Sequence, residues 1–99
     1  MGSSFESQDQ MIDVVRVKAL GAYRLHIEFS DGTAGERDFA PKVVRSGEML
    51  IPLKDPSFFA RAFVELGAIT WPNGYDLDPI ALHDRMAAAG ELKQAANVK

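Results

Sequence analysis

The segment Tyr23–Phe29, with the sequence YRLHIEF, constrains the fold of this chain more than any other stretch. Its apolar residues occupy every second position, and the polar residues Arg24, His26 and Glu28 stand between them. A strict period of two is typical of a β-strand that buries one face and leaves the other in water. The segment therefore predicts a strand at the surface of a small sheet.

Two further strand-like segments flank it. The sequence MIDVVRVKAL (11–20) is rich in Val and Ile, and TAGERDF (33–39) alternates with the weaker apolar pattern of an exposed or edge strand. Gly21–Ala22 and the Ser30–Gly32 cluster have the composition of tight turns. Together these segments predict a three-stranded antiparallel meander over residues 11–39.

The next segment is less regular. Pro41 predicts a single helical turn that would carry Val43 and Val44. The apolar segment Met49–Leu53 follows, and its side chains need cover, either from this domain or from a partner.

Two Asp-Pro pairs, Asp55–Pro56 and Asp78–Pro79, predict helix starts, because Asp caps free N–H groups and Pro suits the first helical position. The first helix is expected to make about two turns and to carry Phe58, Phe59, Ala62 and Phe63. The second runs to about Ala89 and ends at Gly90. The candidates for its buried face are Ile80, Leu82, His83, Met86 and Ala87.

Between the helices, FVELGAITW (63–71) predicts a compact hairpin around Gly67. The fold class that follows is α+β: a small antiparallel sheet, made of the three-stranded meander plus a short strand pair, with two helices packed on it. We expect a disordered leader over residues 1–10, one domain over 11–90 and a frayed polar tail over 91–99.

Composition narrows the class of protein. The chain has 99 residues, a net charge of −3 and a pI of about 5.2, which suits one small domain and disfavours a general nucleic-acid binder. It contains no Cys, which removes disulfides and thiolate metal sites and is typical of a cytoplasmic protein. No apolar run approaches the roughly 20 residues of a membrane span, and residues 1–10 lack the pattern of a signal peptide.

The chain resembles the domain of unknown function 2442 family of small bacterial proteins, from Met11 to about Met86. Four features carry the resemblance: the start MIDVVRVKAL, the hairpin YRLHIEFSDGTAGERDF, the segment LKDPSFFA and the closing WPNGYDLDPIAL. The closing motif, in which Trp-Pro-Asn-Gly precedes an Asp and an Asp-Pro pair, is the most specific of the four.

The resemblance implies a small α+β domain without established catalytic residues. Family members often lie beside genes of another uncharacterised family, domain of unknown function 4160, and such pairs have been proposed as toxin–antitoxin modules. Some members carry a helix-turn-helix domain after this one. A chain of 99 residues has no room for it, so we do not expect direct operator binding.

The closing motif has a structural and a functional interpretation. In the first, Trp71 is buried, the segment that follows it turns the chain, and Asp78 caps the last helix. In the second, Asn73, Asp76 and Asp78 converge as oxygen ligands or as a polar recognition patch. The residue chemistry favours the structural interpretation. The candidate recognition or structural residues are Trp71, Pro72, Asn73, Gly74, Tyr75, Asp76, Asp78 and Pro79.

Two alternatives come from other classes of function. A metal-dependent enzyme would be centred on Asp76, Asp78 and His83. A nucleic-acid-binding regulator would use the basic side of the meander, although the acidic residues there favour a salt-bridged, solvated face. That basic side consists of Arg16, Lys18, Arg24 and Arg37.

We therefore expect a binding protein, not an enzyme, with no cofactor and no catalytic use of His26. Its partner is expected to be another protein, encoded by a neighbouring gene as in a toxin–antitoxin pair. A sheet edge, such as the apolar strand Val14–Leu20, or the segment Met49–Leu53 would provide the contact or support a homo-oligomer.

Overall fold

The structure, a computed structural model, describes residues 12–43 and 51–94. One antiparallel sheet has the strand order β1-β2-β3-β7, and a second has the order β4-β5-β6. The strands are β1 (Val14–Gly21), β2 (Arg24–Phe29), β3 (Thr33–Asp38), β4 (Phe63–Glu65), β5 (Ala68–Thr70), β6 (Asp76–Leu77) and β7 (Lys93–Gln94). The helices are α1 (Ala40–Val43), α2 (Pro56–Phe59) and α3 (Pro79–Ala88), with a 3₁₀ turn over Pro52–Lys54. The α+β class is confirmed.

Several predictions fall outside the described residues. They concern the leader at 1–10, the position of Val44, and the first part of the apolar segment, Met49 and Leu50. The remainder of that segment divides in two, because Leu53 is buried and Ile51 is 58% exposed.

The meander is confirmed, and β2 is its central strand. Leu25, Ile27 and Phe29 are at most 2% exposed, as the alternating pattern predicts. The register sets Ile27 between Val17 of β1 and Gly35 of β3. The same face of the sheet therefore carries the main part of the core.

Strand β1 is the terminal strand of the first sheet, and its edge is irregular. The register slips between Val14 and Arg16 and again between Ala19 and Gly21, so that Val15 and Leu20 are extra residues. These two bulge residues are also the exposed large apolar residues of β1. A bulged edge is a poor template for adding another strand, so this part of the structure disfavours pairing through β1.

The hairpin predicted at 63–71 forms the β4–β5 pair. The Val14 N–H donates to the Gly67 O at 2.8 Å and joins the hairpin to the start of β1. Ile69 and Trp71 then enter the same buried cluster as the side chains of β2. The two sheets therefore share one core.

The helix starts are confirmed at both Asp-Pro pairs, where the Asp side chain accepts a backbone N–H bond. The predicted length of α2 was wrong. It makes a single turn. Phe63 does not continue the helix because it pairs with Thr70 as part of β4. On α3 only Leu82 and Met86 are buried, so the predicted apolar face was too wide and leaves Ile80 40% exposed.

The structure also differs from the prediction of a frayed tail after Gly90. Lys93 and Gln94 form β7 and pair with Ala34 and Thr33 of β3. The pairing is possible because α3 returns the chain to the free side of β3. Residues 95–99 lie outside the described part of the chain. Within the described part, no helix is long and apolar enough to cross a membrane.

Candidate functional site

The closing motif forms a tight hairpin between β5 and β6. The Gly74 N–H donates to the Trp71 O at 2.8 Å, and the Trp71 N–H donates to the Tyr75 O at 2.9 Å. Gly74 has φ +90°, a left-handed conformation that favours glycine. This is a three-residue hairpin loop, in which a turn is followed by a left-handed residue. The sequence predicted the turn but not β6, so the motif is a hairpin followed by a helix.

Most of the motif has a structural role. Trp71 is 1% exposed, and its Nε1–H donates to the Phe59 O at 2.8 Å. The Asn73 Oδ1 accepts from the Tyr75 N–H at 3.3 Å and orders the loop. The Asp78 Oδ1 accepts from the Ile80 N–H at 3.0 Å and caps α3. These contacts support the structural interpretation of Trp71, Asn73 and Asp78.

The second half of the motif lines an open cleft of about 530 Å³, which we call the mixed-charge cleft. One wall is the end of β3 with α1, and the other is β6 with the first two turns of α3. Its volume is in the range of small-molecule and peptide sites. The lining residues are Arg37, Asp38, Phe39, Pro41, Lys42, Tyr75, Asp76, Leu77, Asp78, Ala81, Leu82 and Arg85.

Some charges in the cleft already have partners. The Arg37 Nη1 donates to the Glu91 Oε1 at 2.7 Å, and both side chains are about three-quarters buried. The Lys42 ammonium lies 5.9 Å from the ring centroid of Tyr75, within cation–π range. These contacts hold Arg37, Lys42 and Tyr75 in place along the cleft.

Two other charged residues of the cleft have no such partner in the described part of the chain. Among the residues that the structure describes, none forms an ion pair or a side-chain hydrogen bond with Asp76 or Arg85. Both residues are exposed at the cleft. Their charges are therefore available to a ligand without breaking a contact in this part of the fold.

The cations of this cleft were not predicted as a group. Arg37 was predicted on the wet face of the meander together with Arg16, Lys18 and Arg24, and that prediction was wrong. The register sets Arg37 opposite the buried Leu25, so it points to the core side of the sheet, where Glu91 partners it. Helical spacing could have placed Arg85 at the cleft, since this residue lies on the same face of α3 as Asp78 and Ala81.

The wet face of the meander carries paired charges. The Arg24 Nη2 lies 2.7 Å from the Glu36 Oε1, and the His26 Nε2 lies 3.1 Å from the Glu28 Oε2. These pairs match the predicted salt-bridged, solvated face. Because Arg37 does not lie on the wet face of the meander, that face carries fewer cations than the sequence indicated.

The residues of the predicted metal site do not converge. His83 lies against the ring of Phe29 at 4.9 Å, and its Nε2 donates to the Asp31 Oδ2 at 2.8 Å. Asp78 is occupied in capping α3. In residues 12–43 and 51–94, no group of three or more His, Asp or Glu side chains has the geometry to hold a metal ion. A metal site built on Asp76, Asp78 and His83 is therefore wrong for this structure.

Asp31 joins the β2–β3 turn to α3. Burial raises the pKa of its carboxyl group, but hydrogen bonds from the Thr33 hydroxyl and N–H, together with the contact to His83, outweigh it and lower the pKa below 3.8. The Thr33 Oγ1 donates at 2.6 Å and the Thr33 N–H at 3.0 Å. The contact is a structural link between two elements and lies away from the mixed-charge cleft.

The architecture defines a small α+β domain with a shared core and a cleft that presents unpaired charges. The family model described as protein of unknown function (DUF2442) matches residues 14–87, and the chain belongs to this family. No curated protein matches the chain. No solved structure matches it either.

Proposed function

We propose that this protein is a binding module and that the mixed-charge cleft is where it holds a partner protein. The observation that carries the proposal is the pair of exposed charges in the cleft, Asp76 and Arg85, which the described residues do not neutralise. Charges of both signs that stand ready in a cleft are typical of surfaces that select a partner by electrostatic complementarity. Tyr75 adds the kind of aromatic contact that interfaces favour.

The antitoxin-like role is the finer form of the proposal. Membership in the DUF2442 family supports it through the pairing of such genes with those of a second uncharacterised family. In this form, the partner is a toxin-like protein encoded nearby, and binding through the cleft neutralises it. The bulged edge of β1 favours the cleft over strand addition at β1 as the contact surface.

A charge reversal at the cleft tests the proposal. The tagged wild-type chain and its Arg85→Glu variant are expressed at native level in their own host, crosslinked and captured. We expect one protein to be captured with the wild type and to be depleted with Arg85→Glu, because the reversal replaces an attraction with a repulsion.

Lys18→Glu is the matched control, since it reverses an exposed cation on β1 and leaves the cleft unchanged. This control should retain the partner. Thermal unfolding of all three proteins verifies that they are folded. Capture of no specific protein by the wild type, or equal loss with the two variants, would count against the cleft as the binding surface.

A further inference from the structure

The two ends of the mixed-charge cleft differ in charge. Asp76 and Asp78 lie immediately before α3, at one end. Arg85 lies in the last turn of α3, and Arg37 bonds Glu91, three residues beyond the helix end. Among the charges on α3 and its flanking residues, the acidic ones therefore lie at the start of the helix and the basic ones where it finishes. The opposite wall adds Asp38, whose side chain accepts from the Ala40 N–H, and Lys42, which lies over the ring of Tyr75.

The length of the helix sets the separation of these charges. Asp78 and Arg85 are seven residues apart, which at the rise of an α-helix corresponds to about 10 Å between their Cα atoms. Ala81 and Leu82 lie between them and line the cleft. The floor is therefore apolar, and the charges stand at its ends.

This separation matches one kind of occupant. In an extended polyproline II segment, side chains three residues apart lie on the same face, about 9 Å from each other. A cationic side chain at one position then reaches the unpaired Asp76, beside the capping carboxylate of Asp78, while an anionic side chain three residues away reaches Arg85. The intervening residues lie over Ala81 and Leu82.

We propose that the mixed-charge cleft binds an extended segment of the partner that carries Lys or Arg at one position and Asp or Glu three residues away. This inference rests on the proposed protein-binding function and specifies the chemistry that the partner presents. A uniformly acidic or basic segment is disfavoured, because one of its charges would meet a like charge at one end of the cleft.

The test uses the full-length chain, labelled with ¹⁵N, and three tetrapeptides blocked at both ends: Lys-Pro-Pro-Glu, Lys-Pro-Pro-Lys and Glu-Pro-Pro-Glu. The Pro pair keeps each peptide extended. Amide chemical shifts are followed at millimolar peptide concentrations. We expect the mixed peptide to shift the resonances of residues 75–78 and 81–85, and to bind about threefold to tenfold more tightly than either like-charged peptide.

The Arg85→Glu variant supplies the decisive comparison. Its cleft presents acids at both ends, so Lys-Pro-Pro-Lys should become the preferred peptide. The Lys18→Glu variant should rank the peptides as the wild type does. The inference would be overturned by equal binding of the three peptides, by an absence of shifts in the cleft, or by an Arg85→Glu variant with unchanged preference.

These outcomes are separable from those of the capture experiment. If Arg85→Glu loses a captured protein but the peptides show no charge preference, the binding function stands and the extended mixed-charge segment is wrong. If the peptides rank as expected but no protein is captured, the cleft has the inferred selectivity and the proposed function fails.

Discussion

At the residue scale, Trp71 connects the parts of the core. Its ring centroid lies 5.5 Å from that of Phe59 in α2 and 5.8 Å from that of Tyr75 at the cleft. Its Nε1–H also donates to the buried Phe59 carbonyl, which accepts a second, longer bond from the Ala62 N–H at 3.3 Å. The only Trp of the chain therefore supplies a large apolar area and one directional bond at the same place.

We expect Trp71→Phe to lower the free energy of unfolding by about 2–4 kcal/mol, since it removes this buried hydrogen bond, leaves the Phe59 carbonyl with only the longer bond from the Ala62 N–H, and opens a cavity. Urea denaturation followed by circular dichroism measures the loss. Tyr23→Phe is the control, because it also removes one donor to a backbone carbonyl, that of Lys54, but at an exposed site. The control should lose about 1 kcal/mol, and an equal loss in the two variants would contradict the role given to Trp71.

The Asp31–His83 contact predicts a pH dependence. The pKa of Asp31 is lowered in the folded protein, so its carboxylate stabilises the fold above the unfolded value of 3.8. This contribution is lost as the pH falls through the folded pKa. Asp31→Asn should therefore lower stability by roughly 0.5–1 kcal/mol at neutral pH, a small value because the site is partly exposed.

The difference between the wild type and Asp31→Asn should shrink below about pH 4. Unfolding in urea at neutral pH and at several acidic pH values measures it. A difference that stays constant over this range would show that the carboxylate charge contributes nothing to the link between the β2–β3 turn and α3.

At the element scale, the segment after α3 lies very close to β3. A Cβ atom on Gly35 would lie 2.0 Å from the Glu91 carbonyl oxygen and 3.3 Å from the Met86 Cε. The absence of a side chain at this position is what permits α3 to end over the sheet and β7 to reach the start of β3. The alternating pattern of β3 contained no indication of this contact.

Gly35→Ala should therefore destabilise the fold by about 1–3 kcal/mol or more, because backbone atoms must shift to admit the methyl group. Ala34→Ser is the neighbouring control, since its side chain points to the opposite face, and it should change stability by less than about 0.5 kcal/mol. Chemical denaturation compares the two. A Gly35→Ala variant as stable as the control would contradict the close packing described for Glu91.

At the scale of the whole molecule, the contacts of residues 91–94 with β3 make this segment part of the folded domain. Removal of residues 91–99 eliminates β7 and the Arg37–Glu91 ion pair. We expect this truncation to lower the free energy of unfolding by about 2 kcal/mol, which in a domain of this size lowers Tm by roughly 8–16 °C. Removal of residues 95–99 retains β7 and should leave Tm nearly unchanged. Equal Tm values for the two truncations would place the domain boundary at Gly90, as the sequence indicated.

Interactions between residues close in sequence determined much of the secondary structure of this protein. The period-two pattern of Tyr23–Phe29 specified the central strand and its buried face, because side chains alternate along any strand. The two Asp-Pro pairs specified where α2 and α3 begin, because capping depends on adjacent residues only. The meander and its short turns follow from the same kind of information, and so does the α+β class.

Contacts between distant segments decided the rest. Whether Phe63 continues a helix or joins a strand depended on its pairing with Thr70, and the side of the sheet on which Arg37 lies depended on its register with Leu25. The mixed-charge cleft also assembles from β3, α1, β6 and α3. Its opposing charges Asp76, Asp78 and Arg85 lie within one segment, but the wall that faces them, formed by β3 and α1, is brought beside them only by tertiary packing. The sequence by itself thus determined the meander, the β4–β5 hairpin and the starts of α2 and α3. Only the tertiary structure, through contacts between distant segments, decided where β6 and β7 pair and which side chains of β3 and α1 face those of β6 and α3.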